Sequence, residues 1–339
     1  MSSLADSTVR IFERLQLSGC PPADPNLFVA ALMPGRSGDY IAKDTNGRPA
    51  FLISSVQDGS EPRIPPIALE HLRIDHGLAC RLTESNGSVQ EGLYSVIRCI
   101  SGDAALQLYF VRTVTTIIES LPASPTQLEL EKVINCVVEL FRQMSLAPRK
   151  TIQGLWAELL LIARATEPCL LIGCWHENPD DLYDFGLGKE KLEVKSTAGG
   201  IRRHHFSFNQ LNPTPGTTVV VASVFVEVVD DGVSVFNLVE SIKARIQGCP
   251  ELASRIDQIV AATLGSGWRQ ALEAKFDLEL ANKSLRFYSS SAIPSVSAPL
   301  DPAISDVHFT SDLSDVKSLD GASLVSKGIL LGCALDFPH

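Results

Sequence analysis

The stretch DLYDFGLGKEKLEVKS, residues 181–196, admits few local structures. It holds two short runs of β-type alternation joined at Gly188-Lys189. A two-residue loop with glycine first is the signature of a type II′ hairpin turn, so Leu187 is expected to pair with Glu190. That register sets Asp184 opposite Glu193, with Lys195 two residues further on the same face. The other face carries Tyr183, Phe185 and Leu187 against Leu192 and Val194, an apolar surface that needs a core layer. Two carboxylates facing each other across a hairpin repel. A divalent cation between them removes the penalty, and oxygen-only ligands favour Mg²⁺, with Mn²⁺ as a substitute.

The surroundings separate this hairpin from a chance match. Asp/Glu-x-Lys occurs three times, at Glu193–Lys195, Glu273–Lys275 and Asp315–Lys317. Glu273 falls in an expected helix, WRQALEAKFDLELA, where it and Lys275 would project about 200° apart. Asp315 has Asp306 at a similar upstream spacing but no apolar opposite face and no preceding helix with a central Glu. Only Glu193 follows such a helix, TIQGLWAELLLIARA, with Thr151 as its N-cap. Glu158 sits there among Gly154, Leu155, Leu161 and Ile162, where an unpartnered buried carboxylate is costly. It is expected to point at Asp184 and Glu193 as a third oxygen donor; the plainer alternative is an ion pair with Arg164 or Lys150.

Three regions are expected. Residues 1–148 read as a β-rich domain ending in a helix: FLISS, HGLACRLTE, EGLYSVIRCI and LQLYFVRTVTTII as strands, then a helix over 125–144 with Leu130, Val133, Ile134, Val137, Val138 and Phe141 on one stripe. Residues 149–290 read as an α-β-β-β-α-β core, with CLLIGCW and TTVVVASVFVEVVD as strands and helices over SVFNLVESIKARI and ELASRIDQIVAATLG. Residues 291–339 read as a Ser/Pro-rich linker and a C-terminal extension. With 45% apolar residues the chain can bury a sizeable core, and its formal charge of −10 restricts any nucleic-acid contact to a local patch or a partner. The apolar runs are too short or too strand-like to span a bilayer, and residues 1–15 lack a signal-peptide core, so a cytoplasmic protein without membrane contact is expected. The eight cysteines form no Cys-x-x-Cys pair, and Walker A and Gly-x-Ser-x-Gly motifs are missing.

The order helix with Glu158, strand, strand with Asp184, strand with Glu193-x-Lys195 resembles the restriction-endonuclease-like PD-(D/E)XK superfamily. GLWAELLLI, DLYDF, LEVKST and RHHFSFNQL together resemble bacterial PD-(D/E)XK motif proteins, often linked to restriction-type phage defence; the similarity is clearest over residues 150–230. Pro179-Asp180 is the literal Pro-Asp pair, but Tyr183-Asp184 fits the hairpin, and Asp180 stays an alternative of the same parity. The resemblance implies a three-layer α/β core with a mixed central sheet and a Mg²⁺-dependent endodeoxyribonuclease. Its catalytic set would be Glu158, Asp184, Glu193 and Lys195, with Asp184, Glu193 and Glu158 on the metal and DNA as substrate. It also implies other defence-system proteins as partners and leaves a homodimer open. The alternatives are a nuclease-like fold without turnover, serving as a DNA-binding or assembly subunit, and a scaffold protein with an accidental motif. After the Glu-x-Lys strand, alternation in RHHFSFNQ puts Arg203 and His205 on one side as candidate nucleic-acid contacts, or as part of a solvated loop. Gln210 is either a site residue or a polar cap before Asn212-Pro213.

Overall fold

The computed structural model describes residues 4–17, 25–54, 65–84, 87–176, 181–297, 301 and 303–334. The chain forms two compact units, Met1–Ser145 and Leu146–His339. The first contains α1 (Leu4–Arg14), β1 (Leu27–Leu32), β2 (Tyr40–Lys43), β3 (Pro49–Ile53), β4 (Ile67–Ala68), β5 (Leu72–Glu84), β6 (Val89–Cys99), α2 (Ala104–Ile118) and α3 (Gln127–Gln143). Its strands run in the order β1-β2-β3-β6-β5-β4, and β1 also pairs with β5, so the sheet closes into a ring. The closed ring holds five strands, β1, β2, β3, β6 and β5, with β4 outside it; an odd number cannot alternate direction throughout, and the parallel seam of β1 with β5 follows from that. Period-two burial fills the interior with Phe28, Ala30, Tyr40, Ala42, Leu52 and Leu82. On β3 the opposite parity faces the helices, where Phe51 meets Phe110 of α2 at 5.6 Å and Phe110 meets Phe141 of α3 at 5.7 Å.

LQLYFVRTVTTII, expected as a strand, is α2. Asp103 starts it by accepting from the Ala105 and Leu106 amides. The β-branched run survives in the helix because it is buried and its hydroxyls are satisfied locally: Thr115 donates to the Val111 carbonyl and Thr116 to that of Arg112. Propensity yields here to packing. The helix expected over 125–144 forms as α3, opened by a Thr126–Glu129 capping box, and its six stripe residues are buried.

The second unit begins with α4 (Ile152–Arg164), α5 (Pro168–Cys174), β7 (Phe185–Leu187), β8 (Glu190–Thr197), β9 (Arg203–Ser207), α6 (Phe208–Leu211), β10 (Thr218–Phe225) and β11 (Val228–Val233). It continues with α7 (Val235–Arg245), α8 (Pro250–Leu264), α9 (Trp268–Glu273), α10 (Leu278–Ser284), β12 (Arg286–Ser289), β13 (His308–Asp312), α11 (Gly321–Val325) and α12 (Ile329–Gly332). The central sheet is mixed, in the order β12-β10-β8-β7, with β8 and β10 parallel and the outer pairs antiparallel. On one face α4 packs against β8 and α7. On the other lies the β9–β13 ribbon with α6, where Phe206, Leu211, Val221, Tyr288, Ile293 and Leu313 form one cluster. This is an α/β fold of three layers with a β-rich N-terminal region.

Four further sequence expectations are corrected. CLLIGCW is helix α5 followed by a single bridge at Trp175; Pro168 at the first helical turn favours that start, and a short apolar run carries no period to decide the matter. The long strand from 217 breaks into β10 and β11, and WRQALEAKFDLELA breaks into α9 and α10. The segment after 290 also contributes to the second unit: β13 completes the ribbon, and Leu313, Leu324, Leu330 and Leu331 are buried. Among the described residues, no helix is long and apolar enough to cross a membrane.

One carboxylate holds the C-terminal helices to the sheet. Glu190, the first residue of β8, accepts from the amides of Ile329, Leu330 and Leu331 at 3.2, 2.8 and 3.4 Å. Gly328 has φ +147°, and a Cβ there would overlap the Glu190 carboxyl group. Replacing Glu190 by Ala is expected to cost about 1–2 kcal/mol, the scale of a lost helix cap. Limited proteolysis should then cut near residue 328 faster than in the wild type.

Candidate metal centre and active site

The hairpin takes the expected register: Leu187 pairs with Glu190, Gly186 with Lys191 and Phe185 with Leu192. Gly188 has φ +53°, and Lys189 is not among the positive-φ residues, as a type II′ turn requires. The ladder then stops one residue short of Asp184. Instead of extending the pairing, Asp184 puts its side chain into the gap, and its Oδ2 accepts from the Val194 amide at 2.7 Å. A side chain thus takes the place of a ladder partner on the open edge of β8. The next chain segment inward is supplied by Trp175, which bridges Phe185, and by the His176 amide, which donates to the Asp184 carbonyl at 2.9 Å.

From that edge Asp184 reaches the α4 side of the sheet. Its Oδ1 accepts from Lys150 Nζ at 2.6 Å, and the same ammonium donates to Glu158 Oε1 at 2.9 Å. Glu158, 3% exposed, also accepts from Trp175 Nε1 at 2.7 Å, and its Oε2 lies 3.0 Å from His176 Nε2. The ligand atoms of Glu158, His176 and Asp184 lie within 4.8 Å of one another, and all three residues are buried. Burial alone would raise the Glu158 pKa, but hydrogen bonds and charge from His176 and Lys150 overcome it and hold the carboxyl at about 2. Asp184 is pushed well above the usual carboxylate range by burial first, then by the charges of Glu158 and Glu193, with Lys150 pulling the other way. Burial would lower the Lys150 pKa; Asp184 and Glu158 together outweigh it and raise it.

Glu193 and Lys195 lie on the opposite face, in register with Val221 and Ser223 under the β9–β13 ribbon. Their nitrogen and oxygen are 2.7 Å apart. Gln210 donates to Glu193 Oε1 at 2.8 Å and accepts from Lys195 Nζ at 3.3 Å. Its Oε1 also accepts from the Ser207 amide at 3.2 Å at the start of α6, and the Tyr183 hydroxyl donates to the Asn209 and Gln210 carbonyls beside it. Lys195 also stands 5.2 Å over the Phe206 ring.

The structure thus forms two groups: Glu158 and Asp184 meet through Lys150, Glu193 and Lys195 meet through each other and Gln210, and the Val194 amide ties Asp184 to the strand between them. It does not gather the metal donors as the sequence indicated. Glu193 is engaged by Lys195 and Gln210, and the compact donor trio contains His176 in its place. Lys150, Trp175 and His176 were missed. Lys150 was visible only as an ordinary ion-pair partner for Glu158, and it is one; Arg164 bonds Asn282 instead. Reading 169–175 as a strand hid the way α5 delivers Trp175 and His176 to Glu158. Arg203 and His205 alternate outward as expected, but they bond Asp312 and Thr310 on the ribbon's outer face. Their neighbours turn inward: Arg202 donates to the Ser223 carbonyl and hydroxyl at 2.9 and 2.8 Å, and His204 Nε2 lies 2.8 Å from the Ser223 hydroxyl. Asp180 lies outside the described residues.

The trio suits a metal ion chemically. Two carboxylates and an imidazole converge in a buried space that already holds one cation, the Lys150 ammonium.

One family model, described as "Putative PD-(D/E)XK family member, (DUF4420)", matches residues 21–314. The chain belongs to this family. The match takes in both compact units, well beyond the 150–230 stretch where the motifs cluster. Neither a curated protein nor a solved structure matches the chain.

His204 gives the centre an acid-sensitive flank. The side chain is 3% exposed, and burial, then the charges of Lys195, Arg202 and His205, lower its pKa to about 4 from 6.5. Because the folded value lies below the unfolded one, protonation favours the unfolded chain. The stability that the neutral ring contributes is complete above pH 6.5 and is lost as pH falls from there toward about 4. The full swing is on the order of 3 kcal/mol. Chemical denaturation across that window should show a shallower pH dependence in His204→Gln than in the wild type.

Proposed function

We propose that this PD-(D/E)XK family member is a nuclease that hydrolyses DNA phosphodiester bonds with Mg²⁺ or Mn²⁺. The observation that carries this reading is the gathering of three buried carboxylates and Lys195 about one edge of β8. Nothing in the packing of an inert scaffold calls for that, since each buried charge costs several kcal/mol unless it is partnered. Asp184, Glu158 and His176 would hold the ion, with Glu193 beside them. A bound divalent ion there supplies Lewis acidity toward the phosphate and acidifies a water molecule.

The chain's own residues do the rest. Lys195, 19% exposed at its side chain, can reach a phosphate oxygen and offset the charge that develops on it. Glu193 and Gln210 hold its ammonium from two sides, so it does not need to be oriented during the reaction. With a net charge of −10, the chain must grip DNA through a local surface or with other proteins. A place among the proteins of a restriction-type defence system in the cytoplasm accords with the family resemblance.

Cleavage of plasmid and linear DNA, modified and unmodified, with Mg²⁺ or Mn²⁺ tests the reading. Lys195→Ala should lower the rate by at least about 10²-fold, the scale of removing one charge-stabilising donor. Its melting temperature should fall, because buried Glu193 loses its ammonium partner and keeps only the Gln210 amide, so cleavage is compared at a temperature below both melts. Cleavage by Lys195→Ala at the wild-type rate would show the active site to be elsewhere.

A further inference from the structure

Lys150 is half-buried against the candidate metal donors, yet it belongs to none of the motif positions. Its ammonium stands 2.6 Å from Asp184 Oδ1, 2.9 Å from Glu158 Oε1 and 3.4 Å from His176 Nε2. These are the three residues whose ligand atoms converge within 4.8 Å. The lysine thus neutralises, with a single charge, the same residues that would take a divalent ion. We propose that Lys150 is a resident cation that closes this centre in the metal-free protein and must leave before a divalent metal ion can bind.

The proposal rests on the reading of Glu158, His176 and Asp184 as a metal site. Two physical points carry it. The first is exclusion. A divalent ion needs carboxylate oxygens at about 2.0–2.2 Å, and an ammonium already bonded to both carboxylates would face it at close range in a buried space, where like charges repel strongly. The second is freedom to move. The backbone on both sides of Lys150 is fixed: the Arg149 amide donates to the Thr263 carbonyl at the end of α8, and Thr151 caps α4 through the Gly154 amide. The side chain has four rotatable bonds and remains 24% exposed, against 3% and 7% for its two acid partners. The ammonium can therefore withdraw toward solvent while the helix and its carboxylate stay in place. A lysine outside the centre would leave two buried carboxylates open and eager for any divalent ion. Lys150 lowers that affinity and keeps the metal-free fold intact.

Calorimetric titration with MnCl₂, alongside thermal melts, on the full chain tests this with wild type, Lys150→Met, Lys150→Gln and Lys150→Arg. Asp184→Asn serves as the control for a lost metal ligand. Lys150→Met and Lys150→Gln should melt below wild type without metal, bind Mn²⁺ at least tenfold more tightly and gain more in melting temperature when it is added. Lys150→Arg, which keeps the charge, should retain the weak wild-type affinity. If Lys150→Met fails to fold alone, its recovery at Mn²⁺ concentrations that leave wild type unshifted supports the proposal, and failure of Mn²⁺ to recover it counts against. If the wild type binds Mn²⁺ and both neutral variants bind it within twofold of wild type, Lys150 is a structural partner only; the proposal falls and the metal site stands. If neither the wild type nor any Lys150 variant binds Mn²⁺, the metal reading itself fails and takes the proposal with it.

Discussion

The bond from the Val194 amide to the Asp184 carboxylate decides the layout of the centre. A strand edge exposes amides that need acceptors. When β7 ends at Phe185, the next acceptor on β8 is a side chain instead of a carbonyl. This fixes Asp184 at the boundary between the two faces of the sheet. Glu158 and His176 then approach from the helical side, while Glu193 and Lys195 remain under the ribbon. Had β7 run two residues further, the carboxylate would have been confined to one face, and the two halves of the group would be separated by a sheet.

The electrostatics follow from that placement. Three buried carboxylates face two ammoniums, and the two carboxylates in contact with Lys150 differ in how well they are satisfied. Glu158 receives the Trp175 indole as well as Lys150, beside His176, and is held ionised. Asp184 stands between Glu158 and Glu193 and carries the strain of both like charges. Buried networks of this kind contribute little net stability and are retained for what they make specific. Here they keep a set of oxygen and nitrogen donors converged.

Several candidate residues were legible in the sequence because a two-residue loop fixes register and β-strand parity fixes faces, although the pairing of Asp184 with Glu193 that they suggested stops one residue short. The Leu187–Glu190 pairing, Asp184, Glu193 and Lys195 follow from those rules alone, and Glu158 follows from the cost of placing an acid on an apolar helix stripe. What stayed hidden was long-range or lacked a period. Lys150 precedes a helix and shows no pattern until α8 anchors its neighbour. His176 depends on α5 being a helix, and seven apolar residues do not distinguish helix from strand. In the first unit, the β-rich character was plain, but α2 read as a strand because its Thr and Val residues are helical only against the sheet that buries them. Ring closure through β1 and β5 joins strands far apart in sequence, which no local rule reveals.

The strand that carries Glu193 and Lys195 is completed by distant chain on both sides. Its face is covered by β9, whose ribbon partner β13 begins at His308, and its first residue is clasped by amides of residues 329–331. Loop-closure entropy makes such contacts slow to form. During synthesis, Lys150 through Lys195 leave the ribosome shortly before β9 and Gln210, but more than a hundred residues before β13 and the amides of residues 329–331. The acidic and basic groups are therefore all present long before the surface that orients Lys195 is finished. The order of synthesis therefore leaves β8 and its β9 cover waiting for the chain that completes the ribbon and clasps Glu190.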